Sequence, residues 1–297
     1  MAQILDGKAQ AAKMKTQLKE RIAKIGGEKP CMAVVQVGDD PASTIYINQK
    51  ERACAEVGIT YKKVALPDNI SQSAMLAEID ALNNDPTVHG FIVQQPLPSQ
   101  LDVDEVVDRV CPSKDVDCLH PYNVGLATEP YGKSANGKEL LLPCTPAGVI
   151  ELLDAYDINL HAKHCVVVGR SRIVGKPMGM LMLGRNATVT YCHRWTDDIT
   201  PYTQKADVLV VAIGVAKHIK ADMIKPGCVL VDIGINRLSD KKICGDIDFD
   251  GCFEKASYIT PVPGGVGPMT VAMLMANVLK AWSAGKSGSG ISSGAAR

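Results

Sequence analysis

A two-domain α/β architecture is predicted, an N-terminal parallel α/β domain followed by a Rossmann-like doubly wound one. Three observations predict it. The chain has 297 residues, and single hydrophobic cores usually stop growing near ~250–300 residues. Its first ~140 residues alternate helical and strand-like segments, the signature of a parallel layer. Further on, Cys165-Val-Val-Val-Gly169 reads as a strand running into a glycine-bearing turn that opens a helix.

The elements follow in order. Lys8 to Ile25 has the pattern of a charged amphipathic helix ended by Gly26-Gly27. Cys31 to Val37 reads as a buried strand, and Ser43 to Val57 as a helix stopped by Gly58. Tyr61 to Leu66 is strand-like, Ser71 to Leu82 helical, Gly90 to Gln94 strand-like and Asp102 to Val110 a short helix. A second unit begins near Cys144, with Thr145 suited to an N-cap and Pro146 to the first helical position, giving a helix to about Tyr156. Strands are expected at Cys165–Gly169, Ala187–Cys192, Val208–Ile213 and Val229–Ile233, and a final helix over Val271–Trp282. The Gly/Ser-rich end, 283–297, reads as a flexible tail.

Composition narrows the function. Thirty-two basic and 32 acidic residues cancel, so the chain lacks the basic field of a nucleic-acid binder. Ten cysteines contain no Cys-x-x-Cys, and several lie in apolar strand-like runs; this suits reduced thiols rather than disulfides or zinc. No His-x-x-x-His pair occurs, so no catalytic metal is expected. The N-terminus has no signal-like apolar core and no apolar run approaches membrane-spanning length, so a cytoplasmic protein is expected.

Three motifs carry chemistry. Pro261 to Thr270 packs three glycines and three prolines into ten residues, a loop stiff at proline and permissive at glycine, shaped to bring backbone close to a ligand. Gly169-Arg170-Ser171-Arg172-Ile173-Val174-Gly175 follows a strand and opens a helix, where amide groups and the helix dipole attract an anion. Its glycines are wider apart than in Gly-x-Gly-x-x-Gly, so an ordinary βα turn stays an alternative. At the end of the next strand stands Arg194, where an NAD-binding unit would carry an acid. Arginine there suits a 2′-phosphate, favouring NADP; a solvated arginine is the bland reading.

Tyr46 and Lys50, four apart, share one helical face. Tyr-x-x-x-Lys is also the catalytic pair of short-chain dehydrogenases, but there it follows the glycine-rich turn, whereas here it precedes it by more than a hundred residues. Gln94 closes a strand, and Asp115 and Asp117 lie in Pro112–Cys118; strand ends of this kind are where open α/β sheets place ligands.

Taken together, these residues resemble the bifunctional methylenetetrahydrofolate dehydrogenase/methenyltetrahydrofolate cyclohydrolase family. The likeness runs from Ile4-Leu-Asp-Gly-Lys8 to about Trp282. It includes Tyr46-x-x-x-Lys50, Val93-Gln94-x-Pro-Leu-Pro98, Lys114-Asp-Val-Asp117, Pro143-Cys-Thr-Pro-x-Gly148, Val168-Gly-Arg-Ser171 with Val174-Gly-x-Pro-Met178, and Pro263-Gly-Gly-Val-Gly-Pro-Met-Thr270.

The resemblance implies two linked reactions: oxidation of 5,10-methylenetetrahydrofolate with NADP, then hydrolysis of the methenyl product to 10-formyltetrahydrofolate. It implies a catalytic, folate-binding domain over 1–143 completed by the helix 271–282, an NADP-binding domain over 144–270, and a folate cleft between them. Lys50 is then the proton-handling group, Tyr46 stacks on the folate, Gln94 hydrogen-bonds and tunes Lys50, and Asp117 grips the amino-pyrimidine edge. Pro263, Gly264 and Gly265 line the substrate; Thr145, Gly169, Arg170, Ser171, Val174, Gly175 and Arg194 hold NADP. A homodimer through the cofactor domains is implied, with no third domain for formyltetrahydrofolate synthesis. The family usually has glycine where this chain has Cys118. A requirement for φ > 0 there would cost ~1–3 kcal/mol. Three other readings compete: a dehydrogenase that has lost the hydrolase, a non-catalytic nucleotide-binding protein, and a shikimate-dehydrogenase-like enzyme, which would not need the Pro263–Thr270 loop.

Overall fold

A computed structural model of the protein describes residues 1–129, 139–238 and 242–286. The chain forms two compact units. Met1–Lys13 and Pro143–Met273 make up most of one, here the six-stranded unit. Met14–Leu126, Glu139–Leu142 and the chain from Leu274 make up the other, the three-stranded unit. The first residues depart from the expected division. Strand β1 (Gln3–Ile4) pairs in parallel with Tyr258–Ile259, so the start of the chain belongs to the six-stranded unit. Helix α1 (Gly7–Ala23) follows.

In the three-stranded unit, β2 (Cys31–Val37) leads through α2 (Pro41–Val57) to β3 (Thr60–Leu66). From there α3 (Gln72–Asn84) leads to β4 (Gly90–Val93), and α4 (Val103–Arg109) and α5 (Pro121–Leu126) come after. The strands run parallel in the order β3-β2-β4. Every residue of the central strand β2 is buried, which is why it reads as a continuous apolar run rather than an alternating one. Ala33, Val35 and Val37 pack with Phe91 of β4, with Met75, Ile79 and Leu82 of α3, and with Val106 of α4. Each fully buried large side chain there contributes ~1.5–3 kcal/mol. Val35 is in register with Val93, so Gln36 and Gln94 both leave the opposite face of the sheet. Helix α2 starts before the expected Ser43 because the Asp40 carboxylate accepts the Ser43 N–H at 2.7 Å. It ends at Gly58, in the left-handed conformation.

In the six-stranded unit, α6 (Cys144–Ala155) precedes β5 (His164–Val168), α7 (Gly175–Gly184), β6 (Thr188–Cys192), α8 (Thr200–Thr203) and β7 (Val208–Val211). Then come β8 (Val229–Asp232), a short antiparallel pair of β9 (Asn236–Arg237) and β10 (Ile243–Cys244), α9 (Phe249–Phe253), β11 (Tyr258–Ile259) and α10 (Val266–Lys286). The large sheet is parallel throughout, in the order β1-β11-β8-β7-β5-β6. From β5 the chain winds one way to β6 and the other way to β7 and β8. The topological switch point therefore falls between β5 and β7, where open sheets of this kind bind ligands.

Three expectations are corrected. Thr145 is not the N-cap of α6: Pro143 occupies that position without a side-chain bond, and the Thr145 hydroxyl lies 3.0 Å from that of Thr270. The last helix begins at Val266 rather than Val271, since Pro268 falls in its first turn, where a missing N–H costs nothing. That helix runs on to Lys286, so 283–286 are helical; the rest of the expected tail lies outside the described residues. No helix among the described residues is long and apolar enough to cross a membrane.

Candidate active site

In the three-stranded unit, α2 presents Tyr46 and, one turn later, Lys50. Tyr46 is 40% exposed, while Lys50 is half-buried. Lys50 Nζ donates to Gln94 Oε1 at 2.9 Å. Gln94 Nε2 in turn donates to the Gln95 carbonyl at 2.7 Å, which orients the amide with its oxygen toward the lysine. Gln94 lies just beyond β4 rather than inside it, held by its N–H to the Val35 carbonyl at 2.9 Å.

The loop carrying Asp117 is fixed on both sides. Lys114 Nζ donates to the carbonyls of Leu82 and Asp85 at 2.9 and 2.7 Å, and burial pushes this lysine's pKa down. Asp115 is buried and accepts from Leu119 N, His120 N and Asn123 Nδ2 at 2.9–3.1 Å. It is a structural carboxylate that organises the loop. Asp117 is half-buried between these anchors. Cys118 next to it has φ 60°, the left-handed conformation in which a side chain carries strain. Its side chain is fully buried, and its Sγ donates to the Leu141 carbonyl at 3.4 Å.

In the six-stranded unit, the turn after β5 forms one wall of the switch point. Gly169 has φ 127°, and a Cβ there would lie 2.4 Å from the Ala212 carbonyl oxygen. A Cβ on Gly175 would lie 2.4 Å from the Gly169 oxygen. Only glycine fits at these two places, and the result is a backbone cradle of the kind a dinucleotide's phosphates occupy. Ser171 Oγ accepts from the N–H groups of Val174 and Gly175 at 3.2 Å each, setting the first turn of α7. Arg170 is exposed at the cradle's mouth. Arg194, just past the neighbouring strand β6, is exposed with its guanidinium 5.2 Å from the Trp195 ring centroid.

The loop at Pro263, Gly264 and Gly265 is seated on the start of the chain. Lys8 N donates to the Gly264 carbonyl at 2.9 Å, and Gly265 N to the Pro261 carbonyl at 2.9 Å. A Cβ on Gly7 would lie 1.8 Å from the Gly265 oxygen, a tight fit that gives the Asp6-Gly7-Lys8 segment its purpose.

A doubly wound sheet with a glycine cradle at its switch point, in one chain with a second parallel sheet, defines a dinucleotide-binding α/β enzyme. The model of the tetrahydrofolate dehydrogenase/cyclohydrolase catalytic domain matches residues 5–117, and that of the same family's NAD(P)-binding domain matches residues 143–286. Bifunctional protein FolD of Halalkalibacterium halodurans is 50% identical over 94% of this chain and 98% of its own. That of Bacillus subtilis is 48% identical over 94% and 97%. Among solved structures, the FolD methylenetetrahydrofolate dehydrogenase/cyclohydrolase of Campylobacter jejuni has a TM-score of 0.90 at 46% identity, covering 95% of this chain and 99% of its own. The Trypanosoma brucei enzyme, complexed with NADP cofactor and inhibitor, has a TM-score of 0.90 at 33% identity, covering 96% and 98%. The chain belongs to the tetrahydrofolate dehydrogenase/cyclohydrolase family.

Several residues around these sites escaped the sequence reading. Gln36 is buried in β2, its Nε2 donating to Thr44 Oγ1 at 3.2 Å; the signal was one polar residue in an otherwise apolar strand. Asn123, the partner of Asp115, gave none. Asp232 and Asp246 are buried at the switch point, and only the glycines near them, Gly234 and Gly245, hinted at it.

Proposed function

We propose that the two reactions of this bifunctional enzyme are divided among its residues as follows. The six-stranded unit binds NADP, its phosphates over Gly169, Arg170, Ser171, Val174 and Gly175, with Thr145 nearby and Arg194 on the 2′-phosphate. When bound, the cofactor supplies the hydride acceptor for oxidation of 5,10-methylenetetrahydrofolate. Pro263, Gly264 and Gly265 give the substrate a backbone-lined surface. In the three-stranded unit Tyr46 stacks on the pterin, and Asp117 accepts the two N–H donors of its amino-pyrimidine edge, the match a carboxylate provides.

Lys50 moves the protons of hydrolysis. Water adds to the cationic methenyl carbon and gives up both its protons in turn; the bond from that carbon to the ring nitrogen N5 breaks, N5 takes up one proton, and the other is released as 10-formyltetrahydrofolate forms. The Lys50–Gln94 hydrogen bond carries this reading: it holds Nζ at the end of β4, where a proton can pass to or from a bound substrate. A homodimer formed through the six-stranded units is in keeping with Ile235, Leu238 and Ile243, which stay exposed around the β9–β10 hairpin. A cytoplasmic setting suits ten free cysteines.

The test is a spectrophotometric assay with 5,10-methylenetetrahydrofolate and NADP⁺ or NAD⁺, followed by decay of authentic methenyltetrahydrofolate, on wild type and Lys50→Met. The variant should fold normally and lose methenyl hydrolysis. Retained hydrolysis would remove Lys50 from the mechanism, and a preference for NAD⁺ would overturn the role of Arg194.

A further inference from the structure

Beneath the switch point the six-stranded unit buries two carboxylates. Asp232 ends β8 and Asp246 follows β10; they are 3% and 0% exposed. Asp232 Oδ1 accepts from Gly234 N and Asp246 N at 2.9 Å each, and its Oδ2 from Ile247 N at 2.7 Å. Asp246 Oδ2 accepts from Ile213 N at 2.7 Å and Gly214 N at 2.9 Å, and its Oδ1 from Asn236 Nδ2 at 2.8 Å. The fit is tight: a Cβ on Gly245 would lie 1.9 Å from Asp232 Oδ2, and one on Gly234 2.2 Å from the Asp246 carboxylate. Among the described residues no lysine, arginine or histidine forms a salt bridge with either group. Burial pushes the pKa of Asp232 up to about 6.

The backbone that Asp246 grips is the loop after β7. Ala212 N donates to the Val168 carbonyl at 2.8 Å, and the Ala212 oxygen is the atom that leaves no room for a side chain at Gly169. Asp246 therefore anchors the wall of the switch point opposite the Gly169 turn. A dinucleotide in such a sheet straddles the switch point. Arg194, past β6, marks the adenosine end, so the nicotinamide end falls on the β7–β8 side, over Ile213 and Gly214.

We infer that Asp246, backed by Asp232, is the positioning residue of the nicotinamide subsite and biases it toward the oxidised cofactor. It fixes the Ile213–Gly214 loop and adds a buried negative charge that favours the cationic ring of NADP⁺ over the neutral ring of NADPH. The inference rests on the cofactor reading above. A unit charge acting across about 12 Å at an effective dielectric near ~20 changes an equilibrium about tenfold, and by more at shorter range.

The test is Asp246→Asn in the full-length protein, with dissociation constants for NADP⁺ and NADPH measured separately by calorimetry. NADP⁺ should weaken about tenfold relative to NADPH. A ratio left unchanged, with both nucleotides equally weakened or neither, would reduce Asp246 to a structural residue and overturn the inference. Should the variant not fold, wild type gives the answer: NADP⁺ should bind more tightly than NADPH, and the reverse order overturns the inference. Wild type binding neither nucleotide would instead sink the cofactor reading itself.

Discussion

Asn277 of α10 donates from Nδ2 to the Val116 carbonyl at 2.9 Å, and the same amide reaches the Leu142 carbonyl at 2.8 Å. Asn277 is fully buried. A side chain far along the sequence thus fixes the residue immediately before Asp117. Replacing it with alanine strands the buried Val116 carbonyl, at ~1–3 kcal/mol, and releases the half-buried Leu142 carbonyl. Asn277→Ala should lower the urea midpoint and raise KM for the folate substrate, while the dissociation constant for NADP⁺ stays put. A KM unchanged alongside lost stability would separate this amide from the placement of Asp117.

Cys118 is the second constraint on that loop. Its φ of 60° is tolerable for a residue with one γ atom and much worse for a β-branched one. Cys118→Gly relieves the strain but gives up a buried side chain, so stability should move by less than ~1 kcal/mol. Cys118→Val should lose ~2 kcal/mol or more. Denaturant unfolding of the two variants side by side checks this, and equal stabilities would show that the conformation carries no strain.

Arg194 should govern the choice of cofactor. Its exposure and its place past β6 leave the guanidinium open to a phosphate. Arg194→Ser should raise KM for NADP⁺ at least about tenfold and leave KM for NAD⁺ within a factor of ~2. Parallel losses for both cofactors would place the arginine elsewhere in the mechanism.

The raised pKa of Asp232 has a definite sign. With a folded value of about 6 against an ordinary 3.8, its contribution favours the fold at acid pH and is lost as pH rises through 6. Above that it costs on the order of 3 kcal/mol. The stability of wild type relative to Asp232→Asn should therefore improve as pH falls from 7.5 to 4.5, measured by urea unfolding at several pH values. A constant difference would mean that Asp232 does not titrate in this range.

Thiol labelling probes burial directly. Desolvation pushes Cys54, Cys165 and Cys228 up to about 12, whereas Cys111 and Cys244 are only half-buried. Labelling of the native protein at pH 8 should modify Cys111 and Cys244 well before the others. Rapid modification of Cys165 would contradict its place in the sheet.

Much of this architecture was legible because its central strands are buried on both faces. Cys31–Val37, Val208–Val211 and Val229–Asp232 stand out as short unbroken apolar runs bounded by turns. Strands β1 and β11, two residues each, are too short to carry a period. The start of α10 was hidden because Gly265-Val266-Gly267-Pro268 has loop composition, yet glycine and proline are harmless in a first turn. Tyr46 and Lys50 were legible from their spacing. The Asp232–Asp246 network was not: 14 positions separate the two residues, and their donors are backbone groups that leave no mark on the sequence.

The pairing of Gln3 with Tyr258 also sets a timetable. Strand β1 has to wait for the far more distant β11 before it finds its neighbour, whereas β11 also pairs with β8. The six-stranded sheet therefore gains its β1 edge only once Tyr258 and Ile259 have been made, while β2, β3 and β4 all lie between Cys31 and Val93. Such long-range closure is slow relative to local pairing, so the three-stranded sheet has the earlier opportunity to form, and β1 spends the longest time without its partner.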